Sequence, residues 1–134
     1  MKDIYVLDSS ALIAFFFGES GQDEVEKLLE DANANKCILY MSLINYGEVC
    51  FILRREMNEE DVEKLKFQIK NVFGIKMHMS DLESVEKVAS YKALGGIAYP
   101  DCFALVTTQE LKGKLVTKDK EFKKFENDVD IFWI

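Results

Sequence analysis

Five short segments of this chain, residues 4–7, 37–41, 75–79, 114–117 and 130–134, are β-prone, and most are apolar at successive rather than alternate positions. Strands buried on both faces read this way, and a parallel sheet with helices packed on each side is the arrangement that buries them so. The intervals between them carry helical signals. Residues 10–17 form a short apolar run stopped by Gly18-Glu19-Ser20-Gly21, and residues 23–34 place Val25, Leu28 and Leu29 at helical spacing among charges. Ser42 and Asn58 are suited to cap helices over 43–57 and 59–73, the second ending at Gly74. Ser80-Asp81-Leu82-Glu83 reads as a capping box, with Ser80 as cap, for a helix reaching Gly95-Gly96. Pro100 fits the first turn of a helix over 101–111, with Gly113 past its end. Alternating strands and helices predict a three-layer α/β/α sandwich around a central parallel sheet, with residues 1–134 as one domain.

A chain of 134 residues that is 49% hydrophobic can bury a sizeable core, which excludes a disordered polymer. Its three cysteines, Cys37, Cys50 and Cys102, have no C-x-x-C spacing and are read as buried thiols of a reducing cytoplasm. Asp8, Ser9 and Ser10 interrupt the apolar run near the N-terminus, so it does not read as a signal peptide. No apolar stretch approaches the roughly 20 residues that span a bilayer. The expectation is a soluble, cytoplasmic protein.

In a parallel sheet the C-terminal strand ends and the N-termini of the following helices share one edge, where ligands bind. Asp8 ends the first strand, Asp101 opens a helix, and Asp119 lies just past the fourth strand. Singly, each is an ordinary helix cap or dipole partner. Glu48 differs, because it shares a helix face with Ile44, Phe51 and Ile52, and a carboxylate buried among apolar groups needs a partner. Arg55, two turns on, is too far along the helix to reach it. Four carboxylates converging on one cleft repel one another unless a cation neutralises them. With no His or Cys cluster, zinc is a poor candidate beside Mg²⁺ or Mn²⁺, which take carboxylate oxygens and water and serve phosphodiester cleavage.

The formal charge of −7 opposes a nucleic-acid partner, but it is unevenly spread. Residues 19–31 hold six acids and one lysine, whereas residues 112–124 hold six lysines and two acids, one of them Asp119 itself. Lys118 and Lys120, extended by Arg54, are therefore candidates to hold RNA phosphates; the alternative is a solvated face, with Arg54 simply a cation at a helix C-terminus. His78, the only histidine, reads as structural. Phe15, Phe16 and Phe17 cannot all face inward on one short helix, so one of them suits a protein partner.

Val6-Leu7-Asp8-Ser9-Ser10-Ala11-Leu12 resembles the opening motif of the PIN-domain family. Ser42-Leu43-Ile44-Asn45-Tyr46-Gly47-Glu48-Val49 resembles its second acidic motif, Tyr99-Pro100-Asp101-Cys102-Phe103-Ala104-Leu105 its third, and Leu115-Val116-Thr117-Lys118-Asp119 with Phe122 its fourth. Four motifs in order, along essentially the whole chain, make a specific match; within the family, size and the lack of extra domains are most similar to the VapC-type toxins. The resemblance implies a sheet ordered 3-2-1-4-5 and a metal-dependent endoribonuclease, usually a homodimer, held inactive by an antitoxin whose C-terminal segment lies near the active site. It also implies that Asp8, Glu48, Asp101 and Asp119 hold Mg²⁺ or Mn²⁺ directly or through water, with Ser10 and Thr117 orienting carboxylates or water. Competing readings are a catalytically silent scaffold of the same family, a receiver-like Mg²⁺-binding signalling module and a phosphatase with an Asp nucleophile. The receiver calls for paired acids after the first strand, and the phosphatase for an acid at the position of Ser10.

Overall fold

The computed structural model describes residues 1–134. Its strands are β1 (Asp3–Leu7), β2 (Cys37–Ser42), β3 (Ile75–His78), β4 (Lys114–Thr117) and β5 (Asp130–Trp133). All pair in parallel, in the order β3-β2-β1-β4-β5. The helices are α1 (Ser9–Phe17), α2 (Gln22–Asn33), α3 (Leu43–Glu56), α4 (Glu59–Asn71), α5 (Leu82–Leu94) and α6 (Tyr99–Leu111).

The expected sandwich forms because the sheet's two faces feed two apolar clusters. Leu7, Leu39, Met41 and Val116 point to one face and pack with side chains of α1 to α4. Leu115 points to the other and packs with α5, α6 and the stretch after β4. The strands advance from β1 to β3 in one direction, and then the chain returns to start β4 on the far side of β1. That reversal leaves a crevice between the C-terminal ends of β1 and β4, where open parallel sheets bind ligands.

Local chemistry moved several boundaries. The helix after β1 starts at Ser9, because Asp8 is its N-cap and accepts from the Ala11 amide. Asp81, not Ser80, caps α5: its carboxylate accepts from both the Ser84 amide and the Ser84 hydroxyl, each at 2.8 Å. The pattern S-x-x-E suits Ser80, but Asp is an equally good cap one residue later. Helix α6 begins at Tyr99, with Pro100 in its first turn, so Asp101 sits inside the helix rather than opening it. A 3-10 helix over Lys120–Phe125, not anticipated, is anchored by buried Phe122 and Phe125. Of the thiols, Cys37 and Cys102 are buried but Cys50 is only half-buried. Phe15 and Phe16 pack on Phe73, with ring centroids 5.7 and 6.0 Å away, and leave Phe17 as the outward member.

Gly113, between α6 and β4, is required by close approach: a Cβ there would lie 2.9 Å from the backbone oxygen of Ile4 in β1. Gly113→Ala is expected to cost about 1–3 kcal/mol by overpacking, read as a lower urea midpoint at unchanged slope.

Candidate metal centre at the sheet's C-terminal edge

Asp8 and Asp119 flank the crevice between β1 and β4, and α3 and α6 bring Glu48 and Asp101 over it. Asp8 is 1% exposed and held on three sides. Ser10 Oγ and the Ala11 amide donate to its Oδ1 at 2.7 and 2.9 Å, and Thr117 Oγ1 donates to its Oδ2 at 2.5 Å. Thr117 Oγ1 also accepts from the Asp119 amide at 2.9 Å, and Ser10 Oγ accepts from the Lys118 amide at 3.3 Å. The two hydroxyls thus link the ends of β1 and β4 through Asp8.

Burial pushes Asp8 up to about 6 even though the Thr117, Ser10 and Ala11 donors pull the other way. Asp101, 7% exposed, rises further, to about 8, first through burial and then through the charges of Asp119, Asp8 and Glu48. The charges of Asp119, Asp8 and Glu48 thus all bear on Asp101. Oxygens of Asp101 and Asp119 also lie within 4.8 Å of one another and of Glu121, a residue that sequence reasoning did not single out. Glu121 is brought round by the 3-10 helix, where its amide donates to Asp119 Oδ1 and its Oε2 accepts from the Ala98 amide.

Glu48 has a different environment from the one its neighbours suggested. Ile44 and Phe51 on its face are 44% and 62% exposed, so the outer face of α3 is apolar yet open to solvent. Its partner is Ser9, whose hydroxyl donates to Glu48 Oε1 in a short hydrogen bond. Ser9 and Ser10 therefore divide the work: adjacent residues on the first turn of α1 point to different acids. Ser9→Ala is expected to leave the fold intact and, if a divalent ion binds here, to weaken its binding about tenfold by freeing Glu48; a Mn²⁺ titration checks this.

The candidate cations fare unequally. Lys118 Nζ is engaged by Glu19 at 2.8 Å, at the rim of the crevice. Lys120 follows Asp119 on a surface shared with Gly96, Lys123 and Lys124. Arg54 is not part of the group: it lies near the end of α3 and pairs with Glu59 and Glu63 of α4, at 2.7 and 3.8 Å. His78 lies at the end of edge strand β3, beside Thr107.

Buried Asp101, with its carboxylate oxygens close to those of half-buried Asp119 and exposed Glu121, fits a divalent cation with oxygen ligands. A receiver-like module does not fit, since Glu48 stands within α3 and Asp8 is followed by two serines that hold carboxylates.

The PIN-domain family model matches residues 5–127. The chain belongs to the PIN-domain family. It is 28% identical over 97 residues to Ribonuclease VapC42 of Mycobacterium tuberculosis, covering 71% of this chain and 70% of that protein. Its fold is similar to that of VapBC2 from Rickettsia felis, solved bound to a DNA fragment from the promoter, with TM-score 0.74, 13% identity and 98% of each chain covered. It is also similar to Mycobacterium tuberculosis VapC20, described as a toxin that cleaves the sarcin–ricin loop, with TM-score 0.72, 12% identity, and 90% of this chain and 94% of that one covered.

Proposed function

We propose that this chain is a metal-dependent endoribonuclease, the toxin of a toxin–antitoxin pair, with Asp8, Glu48, Asp101 and Asp119 as the groups that hold Mg²⁺ or Mn²⁺. The observation that carries the reading is that Asp101 and Asp119 bring carboxylate oxygens within 4.8 Å of one another at the sheet edge where Thr117 ties Asp119 to Asp8. The ribonuclease names of its relatives support the substrate class.

A bound divalent ion supplies activation of water and neutralisation of charge developing on the phosphodiester. The chain's residues prepare that chemistry. Ser10 and Thr117 fix both oxygens of Asp8, so it meets the ion without reorganising. Ser9 fixes Glu48. Asp101 would hold the ion as its carboxylate, so metal affinity would fall with falling pH. Lys118 and Lys120 stand beside Asp119 to receive flanking phosphates, Lys118 after exchanging Glu19 for RNA. Glu19→Gln is accordingly expected to tighten RNA binding about two- to threefold at low salt, measured by filter binding with a cleavage-dead variant; this is the scale of an exposed ion pair.

The partner and dimer belong to the same proposal. Phe17, Ile44 and Phe51 form an exposed apolar flank on α1 and α3 beside Glu48, suited to an antitoxin segment, and Leu82 and Leu94 on α5 are 79% and 74% exposed, suited to a second protomer. No helix is long and apolar enough to cross a membrane. With its thiols unpaired, we place the protein in the cytoplasm.

Endonucleolytic action is tested with a circular RNA that has no ends. Partner-free protein with Mn²⁺ is expected to linearise it. A circle left intact while linear RNA is shortened from its ends would contradict the endonuclease assignment, and an inert, folded protein that still binds RNA would favour the silent scaffold.

A further inference from the structure

Asn45 is fully buried in α3, one turn before Glu48 and on the same side of the helix. Its Nδ2 donates to the carbonyl oxygen of Pro100, 3.0 Å away, in the residue that precedes Asp101. One amide thus joins the helix bearing one acid to the first turn of the helix bearing another. Proline's fixed φ stiffens that turn, so a hold on its carbonyl is a hold on the backbone of Asp101.

The other end of the amide is unsatisfied. Asn45 Oδ1 is the only buried side-chain oxygen or nitrogen in the structure without a hydrogen-bond partner. A bare buried acceptor costs about 1–3 kcal/mol, at least as much as the ~1 kcal/mol net gain of the bond made by Nδ2. Stability alone would be served as well by leucine, which has nearly the same shape and no polar atoms to leave unpaired. The amide therefore has a use other than holding α3 to α6.

We propose that Asn45 is a positioning residue of the acidic centre: through Pro100 it sets the spacing between Glu48 and Asp101 that a divalent cation requires. The proposal rests on the metal-centre reading above. Ser9 holds Glu48 from α1, Asn45 holds Asp101 from α3, and α3 is common to both arrangements. A purely structural Asn45 makes the opposite prediction, a loss of stability with metal binding intact.

The test compares native protein with Asn45→Leu in three readouts: thermal midpoint without metal, Mn²⁺ affinity by the paramagnetic resonance of free Mn²⁺, and kcat and KM on a cleavable RNA. The expected result is a midpoint equal to or above native, Mn²⁺ binding weakened at least about tenfold, kcat lowered about 10–100-fold and KM for RNA within about twofold, the range seen when groups behind metal ligands are removed. Asn45→Ser, too short to reach Pro100, carries the same expectation for metal and kcat and serves if the leucine variant does not fold. Native Mn²⁺ affinity and turnover in these variants, or a lowered midpoint with intact Mn²⁺ affinity, would overturn the proposal. Mn²⁺ binding by native protein is measured first: its absence brings down the metal-centre reading itself, whereas its presence with an unaltered variant brings down only the role of Asn45.

Discussion

Asp101→Asn is expected to abolish RNA cleavage, by about a thousandfold or more, while making the metal-free protein more stable at pH 8. The two effects have one cause. Asp101 is buried among Asp119, Asp8 and Glu48, so its charge is unfavourable in the folded protein and is useful only against a cation. Asparagine keeps the shape, carries no charge, and offers its amide hydrogens to the surrounding carboxylates. Each pK unit of displacement corresponds to about 1.4 kcal/mol, so relief of part of the Asp101 penalty amounts to roughly 1–3 kcal/mol, or several degrees in thermal midpoint for a domain of this size. Calorimetry in EDTA and a cleavage assay in Mn²⁺ on one preparation check both halves. A variant that is inactive and also less stable would indicate an ordinary structural carboxylate.

Stability against pH is expected to follow the same logic and to reverse with metal. The folded chain holds protons on Asp8 up to about 6 and on Asp101 up to about 8, whereas the unfolded chain releases both near 3.8. Below pH 4 the two states are protonated alike and these groups contribute nothing. As pH rises from about 4 to 8 the unfolded state loses protons that the folded state keeps, so metal-free stability falls across that window and is lowered no further by these groups above it. Mn²⁺ at 100 times its pH 8 Kd adds about 2.7 kcal/mol at pH 8, and the same concentration adds far less at pH 5, where protons compete for the same oxygens. Thermal scans at both pH values, with Mn²⁺ and with EDTA, check this; equal Mn²⁺ stabilisation at pH 5 and pH 8 would place the ion away from Asp8 and Asp101.

Much of this could be read from the chain before the structure. Fully apolar strand segments specify a sheet buried on both faces, and β1, β2 and β4 form where those runs stand. The four acids were legible because each sits at or just past a strand end, in the first turn of a helix, or among apolar neighbours within a helix. What escaped notice has local reasons. Ser9 and Ser10 are alike in sequence, and only the start of α1 at Ser9 decides which serine meets Glu48 and which meets Asp8. Glu121 lies in a lysine-rich stretch that resembles a solvated loop, and the one signal of its 3-10 helix is the spacing of Phe122 and Phe125, three residues apart. Glu48 was singled out for an incomplete reason. The apolar residues around it imply a buried face, but much of that face is open, and periodicity does not distinguish a core face from a docking face. Arg54 was drawn towards the site by its charge, whereas α4 supplies two nearer carboxylates.

The cap reading of Asp8 is correct, and the cap geometry is compatible with the functional reading proposed for it. Its Oδ1 accepts from the Ala11 amide as a helix cap does, and the same oxygen accepts from Ser10 within the acidic centre. A residue that both begins a helix and faces a crevice is held rigidly at no added cost in order, which suits a metal-holding group.

The most direct measurement of the central claim is cleavage of a mixed small-RNA pool by partner-free protein in Mg²⁺ or Mn²⁺, beside the same protein in EDTA and an identically purified Asp8→Asn variant. Discrete products that require the metal and disappear with the variant are the predicted result. Cleavage that persists in EDTA, or that Asp8→Asn leaves unchanged, would contradict the assignment of these carboxylates as a metal-dependent ribonuclease centre.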